Sequence, residues 1–175
     1  MREKTCCFTG HREILESEGA VKARLMGILE GLIYQGYCYF GAGGARGFDS
    51  LAAKTVLEFK EKYKDIHLIL VLPFYNQYEA EKGWSTAEIE AYHYLKENAS
   101  KVVHLQKYYS KGCYYRRNEH LVDHSSVCVS YQYKNVGGTA YTTRYAEKQK
   151  VAVINCFKSC TSVDERENLC YHTEK

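Results

Sequence analysis

Tyr37-Cys38-Tyr39-Phe40-Gly41-Ala42-Gly43-Gly44-Ala45-Arg46-Gly47-Phe48-Asp49 is the stretch on which the fold turns. The apolar run Tyr37–Phe40 reads as a strand, and the residues after it hold four glycines between positions 41 and 47. From Asp49 to about Tyr63 the apolar residues return at helical spacing, with Leu51, Ala52, Val56 and Leu57 on the inward side. Strand, glycine turn and helix in that order form half of a βα unit, the building block of a parallel sheet. The glycines remove the side chains that would keep a phosphate off the backbone. The helix start adds unpaired N–H groups and a partial positive charge. Arg46 could add a charge-assisted contact. The alternative is a tight turn that needs glycine only for positive φ. The dinucleotide spacing G-x-G-x-x-G is not met, because its last position falls on Arg46.

The same alternation continues on either side. Further short apolar runs are Lys4–Phe8, His67–Leu72, Val102–Leu105, Val127–Ser130 and Val151–Ile154. Their near-continuous apolar character suits a sheet covered on both faces. Val21, Leu25, Ile28, Leu29, Leu32 and Ile33 mark a helix, and Thr86–Glu97, Tyr114–His124 and Thr139–Gln149 carry weaker helical patterns. The one proline, Pro73, stands at the exit of His67–Leu72, where its missing N–H costs no ladder bond. The expected class is therefore α/β, a single Rossmann-like three-layer domain with a mainly parallel sheet. It is expected to span residues 1–157, with a polar tail at 158–175.

Composition agrees with a globular domain. Of 175 residues, 45% are hydrophobic and 26% charged, and 24 basic against 21 acidic side chains leave +3. That charge is scattered, so it predicts no nucleic-acid partner by itself but permits a local anion pocket. No apolar run reaches the roughly 18 residues of a membrane span, and no membrane partner is expected. Met1-Arg2-Glu3-Lys4 leads into a strand and not a signal-peptide core, so the expected compartment is the cytoplasm and the eight cysteines are read as reduced thiols. Cys6 and Cys7 should point to opposite faces of their strand. Cys156-x3-Cys160 with Cys170 and His172 fits no standard zinc spacing, and no metal is expected. Seventeen tyrosines offer candidate surface for a homodimer, since domains of this class often pair. No P-loop and no G-x-S-x-G elbow is present.

Ligands of parallel α/β sheets bind beyond the carboxyl ends of the strands, so the remaining turns are read next. Asn135-Val136-Gly137-Gly138-Thr139 places two glycines and a hydroxyl before a helix, giving N–H donors and an N-cap oxygen, or else a plain hairpin-like turn. Thr9-Gly10-His11-Arg12 follows the first strand, where Thr9 and Arg12 could reach a ligand; a lone His11 proves nothing. Tyr114-Tyr115-Arg116-Arg117-Asn118 suits a phosphate or base edge, against the alternative of a solvated helix face.

Together these segments carry a family resemblance. Gly43-Gly44-Ala45-Arg46-Gly47-Phe48-Asp49, Tyr115-Arg116-Arg117-Asn118 and Gly138-Thr139-Ala140-Tyr141-Thr142-Thr143 stand in the order seen in the Rossmann domain of DNA-processing protein A. Phe8-Thr9-Gly10-His11-Arg12, with Pro73-Phe74, Gln77 and Trp84, resembles the compact YpsA-like branch of the same SLOG superfamily. The resemblance covers about residues 4–155. It implies a Rossmann-like fold with a pocket between the two glycine turns, and a nucleotide or nucleotide-derived ligand such as ADP-ribose, NAD or AMP. By position, Gly44, Arg46, Gly47, Asp49, Arg116, Asn118, Gly138 and Thr139 inherit the pocket role, joined by Gly43, Ala45 and Gly137. Gln77 and Trp84 would lie above it, Trp84 either stacking on a base or packing its loop.

Two alternatives follow from the resemblance. The Lonely Guy phosphoribohydrolases of the superfamily carry P-G-G-x-G-T-x-x-E, and alignment on Gly138-Thr139 puts Thr142 at the glutamate. A threonine cannot perform that carboxylate's work, which counts against nucleotide N-glycosidase activity. The DNA-processing branch binds single-stranded DNA, which here would engage Arg12, Arg46, Arg116 and Arg117. The leading expectation is a ligand-binding or ligand-sensing module.

Overall fold

The computed structural model describes residues 1–158. The tail expected at 158–175, and Cys160, Cys170 and His172 of the considered zinc set, lie outside the described residues apart from Lys158 itself. After a 3-10 turn at Arg2–Lys4, strand and helix alternate. The strands are β1 (Thr5–Gly10), β2 (Tyr39–Ala42), β3 (His67–Leu72), β4 (Lys101–His104), β5 (Val127–Tyr131) and β6 (Ala152–Asn155). The helices are α1 (Glu18–Tyr34), α2 (Phe48–Lys62), α3 (Gln77–Ala80), α4 (Thr86–Asn98), α5 (Cys113–Asp123) and α6 (Gly137–Lys148). Every strand pairing is parallel. The fold is the expected Rossmann-like α/β domain, with a sheet parallel throughout.

Strand order is β4-β3-β2-β1-β5-β6. The chain builds outward from β1 to β4, then crosses back to lay β5 against the other side of β1. The carboxyl ends of β1 and β5 thus flank the switch point, where a crevice opens in such sheets. Backbone bonds fasten it: His11 N–H donates to the Tyr131 carbonyl at 3.1 Å, and the His11 carbonyl accepts from Phe48 N–H at 3.2 Å.

The core has two layers because side chains alternate along each strand. Cys6 and Phe8 pack with Phe40, Leu68, Leu70 and the inward residues of α1, α2 and α4. Cys7 faces the opposite way, with Val71, Leu121, Val122, Cys128 and Ala146. In α1 the buried positions Val21, Leu25, Leu29 and Leu32 recur at three- and four-residue steps. Full burial of each leucine contributes roughly 1.5–3 kcal/mol before entropy is counted. The Ser17 hydroxyl caps α1 by accepting from Ala20 N–H at 3.3 Å. Ser85 and Glu88 form a reciprocal capping box on α4. The six cysteines among the described residues carry free thiols. No helix among those residues is long and apolar enough to cross a membrane.

One edge residue makes stability depend on pH. His104, the last residue of β4, stacks on Tyr75 with ring centroids 4.0 Å apart, and its Nε2 is buried without a hydrogen-bond partner. Burial, helped by the charge of Lys96, lowers its pKa. The unfolded chain accepts a proton near the ordinary value of about 6.5, while the folded protein resists it. The cost of neutral His104 is therefore absent above that value and grows as pH falls below it. His104→Phe keeps the ring stack and removes the titration. Its melting temperature relative to wild type should rise between about pH 7.5 and about pH 5.5; a difference that stays constant would refute this.

Candidate functional site

A cleft of about 460 Å³ opens over the carboxyl ends of β1 and β5. Of the expected site residues, Thr9, Gly10, Arg12, Ala45, Arg46, Asp49, Gln77, Trp84, Asn118, Gly138 and Thr139 line it. Thr9 and Gly10 do so as the last residues of β1, not as a loop after it. Gly43, Gly44, Gly47, Arg116 and Gly137 are not on its wall. Gly44 and Gly47 instead border a second cleft of about 330 Å³, between α2 and α4, which Ala45 and Arg46 share with the first.

The glycine turn after β2 requires the largest correction. Its amides were expected to face a ligand, but Asp49 takes them. The Asp49 carboxylate accepts from Gly43 N–H at 3.0 and 3.1 Å and from Ala45 N–H at 2.8 Å. The turn is a nest already filled by the protein's own anion. Its carbonyls are occupied as well: Gln77 Nε2 donates to the Gly43 carbonyl at 3.3 Å and to that of Gly44, and the Arg117 guanidinium donates to Gly43 O. Gln77 and Asp49 are thus held by the turn, with 1% and 5% of their surface exposed. With Asp49 in place, the Gly43 and Ala45 amides already donate to a carboxylate.

Asp49 and Arg117 are a buried, opposed pair. Burial pushes the Asp49 carboxyl up, while Arg117 and the turn amides pull it down. Burial likewise lowers the Arg117 guanidinium, and Asp49 works against that. Arg117, not Arg116, is the cleft arginine. Arg116 points into the β4–α5 loop, donating to the Lys111 carbonyl at 3.0 Å and to Gln106 at 3.0 Å. The sequence cannot distinguish two adjacent arginines until the phase of α5 is known.

Arg46 and Trp84 are also committed. The Arg46 guanidinium donates to the Gly83 carbonyl, lies 3.8 Å from Glu88, and sits 5.4 Å from the Trp84 ring centroid. Tyr78 and Tyr92 pack edge-on to Trp84. Trp84 thus packs within its loop and also lines the cleft. Its indole N–H donates to Glu81 Oε2 at 3.3 Å, and Arg12 reaches the same oxygen at 2.9 Å. Glu81 lines the cleft and was not anticipated, because the loop from Pro73 to Trp84 has no periodicity that would orient it.

The second glycine pair is open. Helix α6 begins at Gly137, with Val136 as N-cap and no side-chain cap. Thr139 is thus not the expected cap; it stands in the first turn. Among the described hydrogen bonds none is donated by the amides of Gly137, Gly138 or Thr139, the groups a helix start leaves without intrahelical acceptors. A Cβ added at Gly138 would meet nothing within 4 Å. Asn118 Nδ2 donates to Thr142 Oγ1 at 2.9 Å, and that hydroxyl donates to the Gly138 carbonyl at 2.8 Å, which steadies the turn from behind. Lys134 and His11 close the near side; His11 Nε2 accepts from Lys134 N–H at 3.3 Å. Burial and the Lys134 charge lower the His11 pKa, in keeping with that accepting role. Lys134, three residues before Gly137, is the signal the sequence held and the motif reading passed over. No group of three or more His, Cys, Asp or Glu suited to a metal occurs among the described residues.

The motifs at these turns find their counterpart in a family profile, that of the YspA SLOG family (YpsA), which matches residues 8–159. The chain belongs to the YspA SLOG family. Relatives of this SLOG domain include the SPbeta prophage-derived protein YoqJ of Bacillus subtilis (strain 168), 30% identical over 141 residues, 73% of this chain and 81% of the relative. The UPF0398 protein YpsA of the same strain is 26% identical over 134 residues, 75% of this chain and 71% of the relative. Among solved structures, DNA processing protein A of Helicobacter pylori, which has a single-stranded DNA binding mode, superposes with a TM-score of 0.59 at 16% identity. DNA processing protein A of Streptococcus pneumoniae gives 0.58 at 16%. Each superposition covers 85% of this chain, and 63% and 48% of the respective DNA processing protein chains. At that identity the likeness is one of fold.

Proposed function

We propose that this SLOG domain binds the phosphate of a nucleotide or nucleotide-derived molecule, such as AMP, NAD or ADP-ribose, in the crevice between β1 and β5. The observation that carries the reading is the uncapped start of α6, whose free amides meet the cleft at Gly138 and Thr139. A helix start of this kind favours an anion through aligned N–H groups and the helix dipole. Lys134 adds positive charge on the same wall. The cleft's size is that of a small-molecule site. The glycosidase alternative loses ground, because Thr142, at the position of the required glutamate, spends its hydroxyl on Gly138.

Gly138→Asp tests this reading. Its φ is not positive and its Cβ has open space, so the variant should fold. A carboxylate in the first turn of α6 even interacts favourably with the helix start, by about 0.3–1 kcal/mol. Calorimetry with inorganic phosphate, AMP, NAD and ADP-ribose should show binding to wild type and a loss of roughly tenfold or more in the variant, at unchanged or higher melting temperature. No binding of any of the four to wild type overturns the reading.

Single-stranded DNA is the second reading, favoured by one feature. Tyr108 and Tyr109 in the β4–α5 loop are 71% and 60% exposed between Lys107 and Lys111, a mixture of aromatic and basic groups that suits unpaired strands. The four arginines expected to serve it do not form a free patch, since Arg117 is buried and Arg12, Arg46 and Arg116 are paired within the protein. An oligonucleotide in the same titration, at low and high salt, separates the readings: DNA binding weakens steeply with salt.

A further inference from the structure

The far wall of the cleft carries a carboxylate, which a phosphate would avoid. Glu81 is fixed there with 17% of its side chain exposed, and both of its hydrogen bonds, from Arg12 and from the Trp84 indole, fall on Oε2. Oε1 has no hydrogen bond among the described residues. Beside it on the same cleft is Tyr114, whose hydroxyl is buried without a partner. Burial and the Glu81 charge push this phenol above its ordinary pKa, so it remains a hydroxyl. Both residues line the cleft, and an acceptor-only oxygen next to a phenol suits a ligand part that is uncharged and rich in O–H groups.

We infer that Glu81 and Tyr114 read the vicinal hydroxyls of a ribose, which makes the cleft selective for ribonucleotides over deoxyribonucleotides. The inference rests on the proposal that the amides at Gly138 and Thr139 hold the phosphate. The two ends then divide the ligand by charge: the anion goes to the start of α6, and the sugar to the carboxylate that repels the anion. A ribose hydroxyl donates to Glu81 Oε1, and its neighbour accepts from Tyr114. Arg12 and Trp84 hold the carboxylate in place, so little rotamer entropy is lost on binding. Reading of a base amine by Glu81 is disfavoured, because Arg46 already lies over one face of Trp84, the ring beside the carboxylate.

The test is calorimetry on wild type, Glu81→Gln and Tyr114→Phe with AMP and 2′-deoxy-AMP, ribose 5-phosphate and 2-deoxyribose 5-phosphate, IMP and inorganic phosphate. Wild type should prefer each ribose ligand over its deoxy counterpart by roughly ten- to a hundredfold, the worth of one hydrogen bond to a charged group. Glu81→Gln should lose most of that preference, Tyr114→Phe part of it, and neither should weaken the binding of inorganic phosphate. Equal binding of ribose and deoxyribose ligands by wild type overturns the inference while leaving the phosphate site standing. So does a preference that survives in Glu81→Gln, or one in which IMP, lacking the base amine, replaces the deoxy ligands as the weak binder. If neither phosphate nor any nucleotide binds wild type, the phosphate reading falls and this inference falls with it.

Discussion

Gly47→Ala should destabilise the domain by about 3 kcal/mol or more, enough to lower the melting temperature by roughly 6–12 °C. Two independent effects add. The backbone at Gly47 has φ 73° and ψ −129°, a combination that L-residues almost never adopt. A Cβ there would also lie 2.2 Å from the Arg12 carbonyl oxygen and 2.5 Å from Arg12 Cα. Those are main-chain atoms, and the adjacent His11 is fastened to Tyr131 on one side and Phe48 on the other. Neither segment can yield without loosening the β1–β5 crevice. Thermal denaturation followed by circular dichroism reads the loss, with Gly138→Ala, in open space, as the control that should move the midpoint little. An unchanged midpoint in Gly47→Ala would mean that the two segments are free to separate.

The same glycine marks how far sequence carried the structure. The glycine turn between an apolar run and a helical pattern was enough to announce a parallel βα fold, and the six strands and five longer helices follow from continuous apolar runs and 3.6-residue periodicity. Helix α3 escaped because its four residues are too few to show a period. That position 47 needs glycine was readable; that Arg12, 35 positions earlier, supplies the reason was not, because the contact exists only once β1 and α2 are docked. At the site the limit is one of direction. A carboxylate two residues after a glycine turn can face outward to a ligand or inward to the turn's own amides, and Asp49 chose the second. Arg116 and Arg117 differ in role by the 100° between neighbours on a helix, which no composition records. That the amides of Gly138 and Thr139 are unpaired was legible, because a helix start leaves its amides so wherever it lies.

Asp49→Ala is expected to be the costliest substitution near the cleft, and Arg117→Met should reveal why. Removing the carboxylate orphans the Gly43 and Ala45 amides, each worth about 1–3 kcal/mol when buried without a partner. It also takes from the Arg117 guanidinium, 6% exposed, the anion that most offsets its desolvation, and breaking one side of a buried pair costs about 3–5 kcal/mol. These losses overlap, so about 4 kcal/mol or more is the expected total. In the double variant the stranded charge is gone, and methionine fills much of the volume while giving up the bond to the Gly43 carbonyl. Asp49→Ala with Arg117→Met should therefore be more stable than Asp49→Ala alone, or at least far above the sum of the two single losses, with a coupling of roughly 0.5–3 kcal/mol in chemical denaturation. Additive losses would show that Asp49 acts only by holding the turn, and that Arg117 draws its compensation from Glu81 and the turn carbonyl instead. Coupled losses would mean that the domain fills the nest after β2 with its own carboxylate and neutralises it with its own arginine.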